Sequence, residues 1–107
     1  KYNKAFEKVN GIITQYVPNY ALPVYHLYVI QTDKRDFLME ELKKRGISTG
    51  IHYPISLPDQ PAYRYMNVKG FQYERDLSKR ILSLPIYPQM KDEDADFVID
   101  SVLELIN

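Results

Sequence analysis

Apolar residues follow two different patterns along this chain, a continuous run and a helical spacing, and these patterns predict where strands and helices lie. Residues 24–31 are β-branched or aromatic almost throughout, which is typical of a central strand covered on both faces. Residues 2–10 and 95–106 instead place apolar side chains at helical spacing. The pattern therefore predicts a helix at each end of the chain and a buried strand between them.

A further helix is predicted directly after the strand at 24–31. Asp33 is suited to be its N-cap, and Leu42 belongs to an apolar stripe in a helix that runs to about Arg45. Gly46 predicts the end of the helix, because glycine readily takes the left-handed conformation of a C-terminal cap. Ile47 then falls where that capping motif places an apolar residue against Leu42.

A second strand is predicted at residues 48–53. The short connections before and after the helix force this strand to run in the same direction as the strand at 24–31. The two strands are either neighbours or lie on the two sides of a third strand. Three prolines then predict a structured loop, which begins with Pro54 and includes Pro58 and Pro61.

The remaining elements complete an α/β layer. Residues 73–82 have helical spacing, and residues 82–85 suit an edge strand or a third strand. The last helix begins with an acidic first turn around Asp92, where anions are favoured. The predicted fold class is α/β, with a small sheet of about three strands packed with helices.

Composition narrows the class of protein without indicating a function. The chain has 107 residues, enough for one domain with one core, and 14 basic residues balance 14 acidic ones. Balanced charge gives no bulk attraction to nucleic acid or to a membrane surface. The absence of cysteine excludes disulfides and zinc–thiolate sites and fits a cytoplasmic protein. No stretch approaches the ~20 apolar residues that cross a bilayer.

Candidate chemistry is sparse. The two histidines, His26 and His52, both fall on predicted strands, and no nearby carboxylates have the spacing of metal ligands. The run from His52 through Tyr53 to Pro54 lies at the exit of a predicted parallel strand, where ligands of open α/β sheets bind. The alternative interpretation is a packing histidine at a strand end stopped by proline. Without the resemblance below, the residues predict an α/β domain with no visible catalytic machinery.

Four motifs nevertheless resemble the C-terminal small domain of the DegT/DnrJ/StrS family of nucleotide-sugar aminotransferases. The resemblance covers almost the whole chain and is carried by residues 25–30 (YHLYVI), 45–47 (RGI), 50–54 (GIHYP) and 81–88 (ILSLPIYP). The two proline-bearing motifs at this separation are more specific together than either alone.

The resemblance implies a fold-type-I enzyme that depends on pyridoxal 5'-phosphate (PLP) and is usually a homodimer. Such enzymes transfer an amino group, typically from glutamate, to the keto group of a nucleotide-linked sugar for polysaccharide or amino-sugar biosynthesis. The Schiff-base lysine and most phosphate contacts belong to a large domain. Residues 1–107 are therefore expected to be a single small domain, with 1–18 as the end of a connecting helix, that forms one wall of the substrate cleft. We expect this chain to hold no catalytic or cofactor-binding residue and to be inactive alone.

The resemblance implies that His52 and Tyr53 bind the substrate. His26 is a weaker candidate for the same role. A neutral imidazole and a phenol can hydrogen-bond sugar hydroxyls or a pyrophosphate without adding a fixed charge. Members of the family often have a Pro–X–His segment after this motif, whereas this chain has Ser56 and Pro58. That departure bears on substrate identity. Two other hypotheses remain open, a free-standing ligand-binding or regulatory domain and a dimerisation module with a tyrosine-rich surface.

Overall fold

A computed structural model of the chain describes all 107 residues, and a small antiparallel sheet organises it. In chain order the elements are α1 (Tyr2–Phe6), β1 (Ile13–Thr14), β2 (Tyr28–Gln31), α2 (Arg35–Lys44), two 3-10 helices (Leu57–Asp59 and Pro61–Met66), α3 (Gln72–Arg80), β3 (Ile81–Leu84) and α4 (Asp92–Ile106). The predicted α/β class with about three strands is confirmed.

The sheet places β2 in the centre, antiparallel to both β1 and β3. On the outer side of β3, Gly50 forms a single antiparallel bridge with Ser83. The chain at Gly50 therefore runs in the same direction as β2, with β3 between them, which is one of the two predicted arrangements. The predicted strand at 48–53 is wrong in extent, because only this one residue pair bonds before the chain leaves the sheet.

The central strand is shorter than its composition predicts. It begins at Tyr28, so His26 precedes the strand instead of lying within it. Tyr25 has a positive φ of 47°, which interrupts the extended backbone, and its hydroxyl accepts a 2.9 Å hydrogen bond from the side-chain amide of Asn3. Composition predicts β propensity but does not reveal such a local turn.

The start of α2 differs from the prediction and its end agrees with it. Asp33 does not cap the helix and instead pairs with Arg80 at 2.8 Å. At the other end Gly46 has a φ of 79°, and the amide of Ile47 donates a 2.9 Å hydrogen bond to the carbonyl of Leu42. This is the 6→1 bond of the predicted capping motif, and Ile47 is buried in the core.

The core lies between one face of the sheet and the helices α1, α2 and α4. Alternate residues of β2 and β3 face it, and α4 contributes the stripe predicted from its spacing. The buried cluster includes Phe6, Ile30, Leu38, Leu82 and Val102. No helix combines the length and the apolar character that crossing a bilayer requires.

Three features depart from the sequence prediction: the end of α1, the strand β1 and the end of α3. Helix α1 ends at Phe6, so most of residues 1–18 is not helical, and β1 follows within that range. The helix predicted at 73–82 ends at Arg80, since Ile81 and Leu82 bond to β2. A strand of two residues such as β1 is too short to show a period in the sequence.

Candidate functional site

The segment of residues 51–80, hereafter the cleft segment, leaves the edge of the sheet and encloses an open cleft. The cleft has a volume of about 780 Å³, and its lining reaches the sheet at Ile81. Most of its surface is apolar and comes from side chains such as Ile55, Leu57, Met66, Phe71 and Leu77. A cleft of this size and character can accept a small-molecule ligand.

His52 lies in this cleft and is tied to the sheet by its side chain. Its Nδ1 atom is 2.9 Å from the hydroxyl oxygen of Ser83, the residue of β3 that bridges to Gly50. Gly50 gives the ring its room, because a Cβ atom at position 50 would lie 2.7 Å from Cε1 of His52. The imidazole therefore folds back over Gly50, and its Nε2 atom makes no hydrogen bond within the chain.

Tyr53 also lines the cleft and is 72% exposed. Its ring meets that of His52 edge to face, with centroids 5.8 Å apart and planes at 78°. The peptide bond between the two residues is cis. Both residues to which the resemblance gave substrate contacts therefore line the same cleft.

His26 lies elsewhere. It precedes β2, whose first residue Tyr28 pairs with Leu84 and whose last residue pairs with Ile81. His52 belongs to the chain that runs parallel to β2 and enters the cleft beside Ile81. The two histidines therefore lie towards opposite ends of the strands, and His26 is exposed to solvent outside the cleft.

One side of the cleft is fixed by a polar cluster that the sequence did not indicate. Arg75 of α3 donates from Nε to the Asp59 carboxylate at 2.8 and 2.9 Å, and Ser56 donates to the same carboxylate at 2.6 Å. Arg75 also bonds the carbonyl of Gly70. The hydrogen bond from Ser56 and the adjacent guanidinium lower the pKa of Asp59 below its ordinary value. No short-range pattern links positions 59 and 75, so only the fold reveals the pair.

Four polar groups on residues that line the cleft make no hydrogen bond within the chain: Nε2 of His52, the hydroxyls of Tyr53 and Tyr63, and the carboxylate of Glu74. Glu74 is the only charged residue in the lining. Such a surface can bond hydroxyl and carbonyl groups, whereas a phosphate finds no cation there and is repelled by Glu74. Sequence reasoning missed Tyr63 and Glu74 as cleft residues, and it missed Ser83 as the partner of His52.

The lining also bears on cofactor and metal binding. PLP requires a lysine amine for its Schiff base and donors for its phosphate, and the lining contains neither Lys nor Arg. The residues that line this cleft do not fit the cofactor. No group of three or more His, Cys, Asp or Glu side chains is placed to hold a metal ion.

Comparison with known proteins gives a consistent family. Residues 1–103 match the DegT/DnrJ/EryC1/StrS aminotransferase family. A pleiotropic regulatory protein from Geobacillus stearothermophilus is 32% identical, covering 96% of this chain and 29% of that protein. A dTDP-3-amino-3,4,6-trideoxy-alpha-D-glucose transaminase from Streptomyces venezuelae is 38% identical, covering 77% and 22% respectively.

The same similarity holds in three dimensions. The crystal structure of S. venezuelae DesV in complex with a ketimine intermediate superposes with a TM-score of 0.91 and 32% identity, covering 99% of this chain and 29% of that chain. The chain spans about 29% of the length of the first curated relative it matches. The likeness therefore concerns one portion of a longer enzyme.

Proposed function

The chain belongs to the DegT/DnrJ/EryC1/StrS aminotransferase family, and from this premise we propose that it is the C-terminal domain of a PLP-dependent nucleotide-sugar aminotransferase. Its part is to form one wall of the cleft that holds the keto sugar, with His52 and Tyr53 as the contacting residues. The cofactor and the reactive lysine lie in the rest of that enzyme, which works as a homodimer in the cytoplasm with glutamate as its amino donor.

The observation that carries the proposal is the position of His52 and Tyr53 at an apolar cleft whose unbonded polar groups are mostly neutral. Sugar rings present apolar C–H faces between hydroxyl groups, so a mixture of aromatic surface and uncharged donors suits them. The pyrophosphate of the nucleotide has no cation in this lining. We infer that the cleft contacts the sugar and that the phosphates bind elsewhere in the enzyme.

The surface of the chain supports a role within a larger assembly. Between β1 and β2, Tyr16 and Tyr20 are largely exposed, and Leu22 and Val24 are each 94% exposed. A segment that exposes several large apolar side chains is typical of surfaces that pack against another protein region. This fits contact with the remainder of an aminotransferase.

The test uses an aminotransferase that carries this chain and follows its two half-reactions separately. We expect His52→Ala to lower kcat/KM for the keto nucleotide-sugar about tenfold or more, because a neutral hydrogen bond to the substrate is lost. Loading with PLP and the half-reaction with glutamate stay unchanged. His26→Ala is the matched control and leaves both half-reactions unaltered, since that histidine lies outside the cleft, towards the opposite end of the strands.

Unchanged sugar kinetics in His52→Ala, or an equal loss in His26→Ala, would remove His52 from the substrate site. The chain by itself provides a second test, because we expect it neither to form an internal aldimine with PLP nor to transaminate. Visible absorbance typical of an aldimine in the isolated chain would contradict this. Tight binding of a nucleotide-sugar by the chain alone would instead support a free-standing binding domain.

A further inference from the structure

The contact between His52 and Ser83 determines more than the position of the imidazole. Ser83 is 5% exposed, and His52 Nδ1 is the only hydrogen-bond partner of its hydroxyl within the chain. A hydroxyl has one proton to donate, and a buried donor left unbonded costs free energy. The direction of this hydrogen bond therefore decides whether the Ser83 proton is satisfied.

Two directions are possible for a neutral imidazole. If Nδ1 carries the proton and donates to Ser83, the Ser83 hydroxyl hydrogen lies in a buried position with no acceptor. If Ser83 donates to an unprotonated Nδ1, the hydroxyl is satisfied, and the imidazole proton lies on Nε2. The second arrangement is favoured because buried polar groups are almost always hydrogen-bonded.

Backbone bonds around Gly50 hold this geometry in place. The amide of Gly50 donates to the carbonyl of Ser83 at 3.0 Å, and the amide of Ser83 donates to the carbonyl of Gly50 at 2.7 Å. This pair of hydrogen bonds holds the backbone of Gly50 against Ser83 of β3, two residues before His52. The missing Cβ at Gly50 leaves the space that Cε1 of the ring occupies.

We propose that Ser83 is a positioning residue which, together with the space at Gly50, holds His52 in the Nε2–H tautomer, so that the cleft presents a neutral N–H donor to an acceptor oxygen of its ligand. In the proposed aminotransferase that oxygen belongs to the sugar, as a hydroxyl, ring or carbonyl oxygen. The naming of a sugar oxygen rests on the proposed function, whereas the tautomer rests only on this chain. The donor selects for an acceptor without attracting anions in general.

The tautomer is measured on this chain by nitrogen-15 NMR of its imidazole rings in mildly alkaline solution, where an ordinary histidine is neutral. His26, which is exposed and has no hydrogen bond to another side chain, is the internal reference. We expect the His52 signals to show protonated Nε2 and an Nδ1 that accepts a hydrogen bond, with a larger share of this tautomer than in His26. A His52 with its proton on Nδ1 would overturn the proposal.

Two variants test the positioning separately from folding. Ser83→Ala removes the donor, and Gly50→Ala keeps it but places a methyl group 2.7 Å from Cε1 of His52, too close for the ring to keep its position. In both we expect the tautomer ratio of His52 to approach that of His26, and the short Gly50–His52 proton contacts to weaken in Ser83→Ala. Ser101→Ala changes another buried serine, in α4, and is the control that leaves His52 unaltered. An unchanged ratio in folded Ser83→Ala would also overturn the proposal.

In the aminotransferase, Ser83→Ala is expected to raise the KM for the nucleotide-sugar about five- to tenfold with a smaller change in kcat. Failure of the two hypotheses can be told apart. If the tautomer is as proposed but His52→Ala has normal sugar kinetics, the proposed function fails. If His52→Ala impairs sugar use but Nδ1 carries the proton, the function stands and the role of Ser83 is wrong.

Discussion

The cleft segment differs from the rest of the molecule in the way it is held. None of the residues from 51 to 80 is buried, so all 18 buried residues of the chain lie outside it. The helices α1, α2 and α4 and the sheet share one apolar cluster. This difference shows that burial of apolar surface stabilises the fold of the core, whereas polar contacts hold one side of the cleft in place.

The polar contacts of the cleft segment are individually weak. Arg75, Asp59 and Ser56 form a partly exposed cluster, and such pairs contribute little to stability because water screens them. A region with few buried contacts opens locally at low free-energy cost. We therefore expect the cleft to adjust to its ligand while the core keeps its packing.

The largest expected effect is a contrast between two leucines. Leu42 is 0% exposed in the core, and Leu57 is 69% exposed in the cleft. Leu42→Ala is expected to lower the free energy of unfolding by roughly 2–5 kcal/mol, because the cavity it leaves cannot fully close. Leu57→Ala is expected to stay within about 0.5 kcal/mol of the parent chain. Denaturant titration followed by circular dichroism measures both, and similar losses in the two variants would contradict the contrast.

The next effect is a loss of stability at alkaline pH, and it arises from two tyrosines in the core. Tyr2 donates to the carbonyl of Pro85 at 2.8 Å, and Tyr28 donates to Asn3 Oδ1 at 2.7 Å. Burial raises the pKa of both phenols to about 12. Their stabilisation is complete below the ordinary pKa of about 10 and is lost as pH rises from there towards 12, by roughly 2 kcal/mol for each phenol.

Unfolding followed as a function of pH checks this expectation. Tyr28→Phe is expected to weaken the dependence above about pH 10, because one of the two shifted groups is gone. Tyr20→Phe is the control, since Tyr20 is exposed. The expectation fails if the parent chain keeps constant stability from about pH 10 to 12.

A smaller effect is expected in the cleft segment. Asp59→Asn removes the carboxylate charge to which Arg75 and Ser56 hydrogen-bond. We therefore expect amide exchange around residues 54–70 to become about two- to fivefold faster, with little change in the free energy of global unfolding. In the parent chain the lowered pKa of Asp59 means that its stabilisation is present above about pH 4 and is lost as pH falls through the lowered value. Asp76→Asn, which affects an ion pair internal to α3, is the control. Equal exchange in the two variants would contradict the role of Asp59.

The same contrast explains which features could be predicted from the sequence. Val98 and Val102 predict α4 because apolar residues at helical spacing lie on one buried face of the helix. Gly46 and Ile47 predict the end of α2, since the C-terminal cap of that helix depends on residues that are close in the sequence. Both signals come from the core region, where local pattern and packing coincide.

Contacts across the cleft could not be predicted in this way. His52 and Ser83 are 31 positions apart, and Asp59 and Arg75 are 16 apart. Only the fold brings such side chains together, and no period of helix or strand encodes them. The placement of His52 and Tyr53 at a cleft was expected from resemblance and from the parallel chain direction, whereas the separation of His26 required the observed start of β2.

We propose that the cleft segment contacts the substrate while the core stabilises the fold. Amide hydrogen exchange of an aminotransferase containing this chain, with and without a saturating nucleotide-sugar, tests it most directly. We expect the sugar to slow amide exchange in residues 51–80, with the largest change around His52 and Tyr53, and to leave exchange in α2 and α4 unchanged. Protection that appears around His26 or in the core helices, with none in the cleft segment, would contradict it.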